Sequence, residues 1–311
     1  MRQVSHLRII NLELDTNYIK SLIALLDDPD TSVFETVANK IIEEGNEIIP
    51  FLEDAWESAH EPIIQNRIEE IIGSIQFNKL KSEFSSWISS PNHDLLEGTL
   101  LVSKIQYPEL DPKRILEEIE NIRRDIWLEL NNSLTALEKV KIINHVLFDI
   151  YKYKPNTSDY YSPRNYLIKD LVESKKGGAV ILTIFYAIIS QQLGLPIYCV
   201  SIPHNFVLAY EDRYSVDLFE IEFEEERRVL FYINPFSQGS LFSANEIKFF
   251  LSQQKIEDNP QYYLPISNYE AIQQLVYNTK IAFQRSNQNA KASQLQKIYN
   301  LLQDQKPKPI K

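Results

Sequence analysis

The sequence contains little of what disulfide-bonded, secreted or membrane-spanning proteins require. Among its 311 residues there is one cysteine, Cys199, so no disulfide can form within the chain, as is typical of proteins from a reducing compartment. No stretch approaches the roughly 18 uninterrupted apolar residues of a membrane span. The first 15 residues carry charges throughout and lack the apolar segment of a secretion signal. We therefore expect a cytoplasmic protein with no membrane partner.

Positive charge is also scarce, because 32 Lys and Arg face 43 Asp and Glu and give a net charge of −11. A chain of this charge repels polyanions, which argues against nucleic acid as a general partner. The five histidines show no ligand spacing, and the Gly-Gly turn at 177–178 lacks the spacer and the Gly-Lys-Ser/Thr ending of a phosphate-binding loop. We therefore expect neither a metal nor a cofactor.

The abundant residues are apolar and aromatic: 44% of the chain is hydrophobic, with 17 Tyr and 15 Phe against only 7 Gly. Residues 1–92 show helical periodicity interrupted by short turns, and Ser32 with Glu35 predicts a capping box for one of the helices. The succession of helix, tight turn and helix resembles a HEAT-type repeat. Two copies also fit an ordinary helical bundle, so both interpretations stay open.

The following segment, 93–256, changes from helical periodicity to strand periodicity at Gly194. Three or four strand-like stretches follow, and they predict consecutive antiparallel strands. Ser243 and Glu246 predict a capped helix after them. We expect a helical extension over 257–304, with helices near 268–285 and 290–303, and a disordered tail over 305–311. The acidic run 220–228 is most simply the solvated face of a hairpin.

The turn before the apolar helix that starts at Ala179 poses the main question about function. Gly177 and Gly178 could form a backbone nest for an anion at the helix N-terminus. The simpler interpretation is a tight turn that allows close helix–sheet packing, with Lys175 and Lys176 solvated in either case.

The segment from about 160 to 240 contains the text SPRNYLIKDLVESKKGGAVILTIFYAIISQQLGLPIYCVSIPHNFVLAY, followed by FYINPFSQG. This text resembles the transglutaminase-like superfamily, and within it the bacterial Sir-B-type branch. The resemblance implies a papain-like α+β fold, in which a helix start presents a cysteine to an antiparallel sheet that supplies a histidine and an aspartate. It also implies a helical N-terminal region and short tetratricopeptide-like C-terminal helices.

All three catalytic positions differ from the enzymatic pattern that the resemblance implies. The nucleophile position is Ala179, the base position is Asn205, and the orienting carboxylate position is Asn234. His204 lies one residue before the base position, and on a regular strand it would face the opposite way. Neutral Ala, Asn and Asn cannot perform acyl transfer by the thiol mechanism.

Several residues around these positions have a structural and a functional interpretation. Cys199 lies in an apolar strand and is more simply a buried small hydrophobe than a substitute nucleophile. His204 is either a displaced base or a strand-edge histidine. Asn205 and Asn234 could keep a contact as an amide–amide hydrogen bond. Arg164 and Asn165 are expected to brace the loop over the helix start.

The sequence thus predicts an α+β protein without catalytic residues that binds a protein or peptide, in a regulatory role, through the remnant groove or the helical surface. The candidate binding residues are Arg164, Asn165, Gly177, Gly178, His204, Asn205 and Asn234. The alternative is a hydrolase or acyltransferase with a rearranged site that uses His204 or Cys199. The sequence does not indicate an oligomeric state.

Overall fold

The computed structural model describes residues 16–211 and 229–305. The chain divides into two compact units at Ser82–Glu83. Within the described ranges, no helix combines the length and the apolar character that a membrane crossing requires. The predicted hairpin face at 220–228 and nearly all of the predicted tail lie outside the described residues.

The first unit is helical, and its helices bury one apolar stripe each. They are α1 (Thr16–Ala24), α2 (Thr31–Glu44), α3 (Ile49–Ser58) and the first part of α4 (Pro62–Ser89). Their core contains Ile19, Leu22, Leu26, Val37, Ile41, Ile48, Leu52, Ile68, Ile71 and Ile75. Leu26 and Ile48 lie in short 3₁₀ segments between the helices, and helical spacing brings the others onto one face of each helix.

The predicted capping box of Ser32 and Glu35 is wrong. Helix α2 begins at Thr31, and the Asp30 carboxylate accepts a hydrogen bond from the Ser32 backbone N–H at 2.8 Å. An aspartate is as good a cap as a serine, and Asp30 stands where the helix leaves the preceding turn. Ser32 is therefore inside the helix.

The second unit begins with helices that surround one buried helix. The surrounding elements are α5 (Leu95–Lys104), α6 (Lys113–Glu129), α7 (Ala136–Asn144), which continues as a π-helical segment His145–Ile150, and α8 (Ile168–Ser174). Two short strands, β1 (Lys154–Pro155) and β2 (Lys176–Gly177), pair in parallel. The enclosed helix is α9 (Ala179–Gln192), as predicted, and every residue from Val180 to Ser190 is buried. Such a helix is apolar on all sides because it has no solvent face.

An antiparallel sheet packs against α9. Its strands are β3 (Ile197–Ile202), β4 (Asn205–Glu211), β5 (Val229–Asn234) and β6 (Ser240–Phe242), in the order β3-β4-β5-β6. The α+β class and the antiparallel sheet are confirmed. One of the strand-like stretches after Gly194, residues 216–224, lies outside the described residues, and the short β6 was not predicted.

The remaining helices are α10 (Ala244–Gln253), α11 (Asn268–Arg285) and α12 (Asn289–Asp304), of which the last two pack against each other. The Ser243–Glu246 capping box of α10 is confirmed, since the Glu246 carboxylate accepts from the Ser243 N–H at 2.8 Å. Helix α10 covers the sheet face opposite to α9 through Ile247 and Leu251.

Candidate functional site

The turn that leads into α9 is built for close packing. Gly177 is buried, and a Cβ at this position would lie 2.7 Å from the Ile181 side chain and 2.9 Å from Leu171. Gly178 precedes the helix as its N-cap, and its N–H donates to the Asn165 carbonyl at 2.9 Å. The Gly178 amide is therefore used within the fold, which favours the interpretation of the two glycines as a tight turn.

Asn165 holds the loop over the start of α9. Its side chain is 2% exposed and makes three hydrogen bonds. Its Nδ2 donates to the carbonyls of Asp159 at 2.6 Å and Tyr160 at 3.1 Å, and its Oδ1 accepts from Asn156 Nδ2 at 2.7 Å. A buried amide with all these partners is a bracing element.

Arg164 points elsewhere, although it is adjacent in sequence. Its Nε lies 2.6 Å from Asp170 Oδ1, a carboxylate that is 3% exposed. The Tyr107 hydroxyl donates to the other oxygen of Asp170 at 2.9 Å. The Asp170 carboxylate raises the pKa of Arg164, which keeps the guanidinium group charged. Arg164 thus fixes the start of α8 and does not line the cavity described below.

The β3–β4 hairpin carries two of the predicted site residues. Ile202 pairs with Asn205, so Pro203 and His204 form a two-residue turn, and His204 has φ +62°. Because proline fixes a negative φ at the first turn position, a positive φ at the second one indicates a type II turn. A regular strand, on which His204 would face the opposite way from the base position, therefore does not run through His204, since β3 ends two residues earlier.

A buried hydrogen bond sets the position of this hairpin relative to α9. Thr183 Oγ1 donates to the Phe206 carbonyl at 2.9 Å, and both residues are buried. This bond lies one turn of helix from Ala179 and one residue from Asn205. It keeps the first turn of α9 and the start of β4 at one fixed separation.

Asn234 ends β5 and caps the short 3₁₀ helix that follows. Its Oδ1 accepts from the backbone N–H groups of Phe236 at 3.1 Å and Ser237 at 3.3 Å. Among the described residues, no hydrogen bond joins Asn234 to Asn205, so the amide–amide contact considered from the sequence is absent there. The Asn234 amide serves its own backbone instead.

The loop after Asn234 is tied to the middle of α9. Tyr186, which is buried, donates to Asn144 Oδ1 at 3.1 Å, and Asn144 Nδ2 donates to the Gly239 carbonyl at 2.9 Å. Gly239 has φ +75°, and a Cβ at this position would overlap Asn144. Burial raises the pKa of Tyr186, so its hydroxyl remains a donor.

These elements enclose a cavity of about 160 Å³ at the start of α9. We call it the amide cavity because five of its lining side chains are carboxamides. The lining residues are Asn156, Tyr160, Asn165, Tyr166, Gly178, Ala179, Val180, Ile202, His204, Asn205, Phe206, Gln274 and Asn278. Of the predicted site residues, the structure thus brings together Asn165, Gly178, Ala179, His204 and Asn205.

The comparison with known protein families agrees with this arrangement. Residues 113–277, more than half of the chain, match the transglutaminase-like superfamily. The chain belongs to that superfamily. The matched range starts with α6 and ends within α11, so it contains every residue of the amide cavity except Asn278.

Individual relatives are distant and share only part of their length with this chain. A UPF0162 protein from Xylella fastidiosa (strain Temecula1) is 24% identical over 154 residues, which is 50% of this chain and 50% of the relative. F-box only protein 21 from Mus musculus is 26% identical over 114 residues, 36% of this chain and 17% of the relative. The chain thus spans half the length or less of these curated relatives. No solved structure matches it.

Within this transglutaminase-like domain, Asn205 lines two cavities, of which the amide cavity is the first. A second one of about 390 Å³, the apolar cavity, lies on the α10 side of the sheet. Its lining residues are Ile202, Asn205, Val207, Asn234, Ser240, Leu241, Phe242, Glu246, Ile247 and Phe250. Asn205 and Asn234 therefore share the apolar cavity, whereas Ala179 and Asn205 share the amide cavity.

Cys199 is 3% exposed in β3, opposite Leu208 of β4, and it is not among the residues that line the amide cavity. Burial raises the pKa of the Cys199 thiol, which disfavours the thiolate that a nucleophile needs. In the described part of the chain, no three His, Cys, Asp or Glu side chains converge as a metal site would require.

Lys175 differs from its prediction as a solvated residue. It has φ +60°, ends α8, and its ammonium group bonds to Glu118 and to the Tyr153 hydroxyl. Lys176 is exposed. Lys175 thus has a structural role and Lys176 is solvated, and neither lysine lines the amide cavity.

Sequence reasoning missed the contribution of the C-terminal helices to the site. Gln274 and Asn278 lie on one face of α11, four residues apart, and both line the amide cavity. Their spacing is visible in the sequence, but nothing in it indicates that α11 lies beside the start of α9. Asn156 and Tyr160 come from the segment 154–165, whose composition indicates only a loop, and Tyr166 directly follows it.

Proposed function

We propose that this transglutaminase-like domain binds a protein or peptide segment at the start of α9 and does not catalyse acyl transfer. One observation carries the proposal. The described residues that line the amide cavity include no Cys, Ser, Thr, Asp, Glu or Lys. A cavity in the place of an active site, with backbone and amide donors but no thiol, aliphatic hydroxyl, amine or carboxylate, can hold a ligand without acyl transfer by the thiol mechanism.

The adjoining cavities support a peptide as the ligand. One is lined by carboxamides and the other mainly by aliphatic and phenylalanine side chains, and Asn205 borders both. An extended peptide directs successive side chains to opposite sides, so it can place a polar and an apolar side chain into two neighbouring cavities.

We also propose that the chain belongs to the Sir-B-type branch, with a HEAT-like N-terminal region and tetratricopeptide-like C-terminal helices. The glycine turn, Tyr186 and the Pro203–Phe206 hairpin support the branch, because each performs a packing role at the site. The helix–turn–helix succession of α2 and α3 and the packed pair α11 and α12 support the two helical regions.

The test is selection of peptides by the full chain from a random heptapeptide library displayed on phage. We expect the wild type to enrich binders, and Ala179→Trp to reduce enrichment at least tenfold by filling the amide cavity. Ala290→Trp is the matched control, because Ala290 is exposed in the first turn of α12 and lies outside both cavities. Equal enrichment by the wild type and Ala179→Trp would refute binding at the start of α9.

The alternative function is an enzyme with a rearranged site, and His204 is the observation in its favour because it lines the same cavity as Ala179. An assay of amide hydrolysis and transamidation on a glutamine-containing peptide tests it. Turnover by the wild type that is lost in Cys199→Ser or His204→Ala would overturn the non-catalytic proposal.

A further inference from the structure

The carboxamides of the amide cavity fall into two groups. Asn165 and Asn156 satisfy each other and the loop that carries them. Gln274 and Asn205, in contrast, have no side-chain hydrogen-bond partner among the described residues. The Asn278 side chain makes one hydrogen bond, in which its Nδ2 donates to the main-chain carbonyl of Gln274 at 2.8 Å. Three amides at this cavity therefore keep donors or acceptors available.

The lining is also uncharged. Its described residues include no Asp, Glu, Lys or Arg. A charged group that entered would lose hydration without gaining a counter-ion, which is unfavourable in a confined site. The cavity therefore discriminates against charged ligands.

A carboxamide offers one acceptor and one donor side by side. The complementary partner is a neutral group with the same pair, and the peptide main chain repeats that pair at every residue. The neighbouring apolar cavity gives a side chain of the same segment an apolar environment. A main-chain amide thus fits the free amides better than an ammonium or a carboxylate group does.

We propose that Gln274 and Asn278 of α11, together with Asn205, form a specificity site that selects an uncharged peptide segment by hydrogen bonding to its main chain. This inference rests on the proposed function and adds the chemical class of the bound segment. It also assigns a binding role to α11, outside the three positions that correspond to a catalytic triad.

Isosteric charge changes test the proposal. Gln274→Glu and Asn278→Asp keep the shape of the side chain and add a negative charge to the cavity wall. With the same phage-displayed heptapeptide library, we expect wild-type binders to be depleted of Lys, Arg, Asp and Glu at their central positions. Each variant should enrich Lys and Arg there at least threefold. Gln284→Glu is the matched control, because Gln284 is exposed on the same helix and outside the amide cavity.

The outcomes separate this inference from the proposed function. If Ala179→Trp abolishes enrichment while Gln274→Glu and Asn278→Asp select the same peptides as wild type, the specificity site is refuted and binding at the start of α9 stands. If the wild type enriches no peptide, both are refuted. Should an acidic variant fail to fold by circular dichroism, Gln274→Ala must reduce enrichment at least fivefold, and unchanged enrichment would refute the role of Gln274.

Discussion

The two ends of helix α9 use the same side-chain chemistry in opposite ways. At its C-terminal end, Gln191 and Asn268 of α11 form a reciprocal amide pair, with bonds of 3.0 and 3.2 Å. At its N-terminal end, Gln274 of the same helix α11 faces the amide cavity without a described partner. Helices α9 and α11 thus share a hydrogen-bonded amide pair at one end of α9, whereas at the other end Gln274 of α11 borders the cavity without a described partner.

This difference teaches which amides hold the fold and which are available to a ligand. Paired amides such as Gln191 gain their hydrogen bonds on folding, so their removal costs stability. Unpaired amides that reach solvent in a cavity keep their bonds to water until a ligand replaces them. Substitution of the paired amides should therefore lower stability, whereas substitution of the unpaired amides should weaken ligand binding.

The largest expected effect follows from removing the brace at the N-terminal end of α9. We expect Asn165→Ala to lower the free energy of unfolding by about 3 kcal/mol, because three buried hydrogen bonds are lost and their partners remain buried. Urea unfolding followed by circular dichroism measures it. Asn245→Ala, at an exposed position of α10, is the control and should change stability by less than about 0.5 kcal/mol. A loss below about 1 kcal/mol at Asn165 would contradict the bracing role.

A pH series tests whether Cys199 is as inert as its burial indicates. Burial raises the folded-state pKa of its thiol. The contribution of the neutral thiol to the free energy of unfolding is therefore complete below the unfolded-state pKa of about 8.5 and is lost as the pH rises above that value. The unfolded chain then gains a thiolate that the folded chain does not form. Relative to Cys199→Ala, the wild type should lose about 2 kcal/mol of unfolding free energy between pH 7 and pH 10.

The measurement is urea unfolding of both proteins at each pH, so that the ionisation of tyrosines cancels in the difference. Parallel pH profiles for wild type and Cys199→Ala would show that the thiol ionises equally in both states. In that case Cys199 would be accessible, and the rearranged-site alternative would gain support.

The smallest effects compare the two ends of α9 directly. Gln191→Ala should cost about 1 kcal/mol, the usual net contribution of such hydrogen bonds. Gln274→Ala should change stability by less than about 0.5 kcal/mol and should instead weaken peptide binding. Thermal melts together with the peptide selection give both quantities. A larger loss of stability at Gln274 than at Gln191 would reverse the distinction between the two ends.

Much of the fold could be predicted, because apolar runs, capping residues and strand periodicity are local patterns that can be recognised in the sequence. Helix α9 follows from an apolar run between Gly178 and Gly194, and α10 follows from its capping box. The superfamily, the α+β class and the antiparallel strands β3 to β5 were also predictable. The start of α2 was missed because Asp30 and Ser32 are both good N-cap residues and lie two positions apart, so the sequence does not show which of them caps the helix.

The site was predictable where it depends on neighbours in sequence. Ala179, Asn165 and Asn205 were expected to meet, and they share one cavity. The turn at His204 was missed because a residue other than glycine rarely adopts positive φ, so strand periodicity was extended through it. The role of α11 could not be predicted, because the arrangement that brings residues 205 and 274 to one cavity depends on tertiary packing that no local pattern encodes.

The Tyr186–Asn144–Gly239 connection has a consequence for engineering. It anchors the loop behind Asn234 to the centre of α9, and Thr183 anchors the β4 hairpin, so neither anchor involves the side chains at 179, 205 or 234. Positions 179 and 205 can be exchanged without disturbing these anchors, and an aspartate at 234 keeps an oxygen that can cap the following 3₁₀ helix. The domain is thus a ready scaffold into which a cysteine, a histidine and an aspartate could be introduced by design.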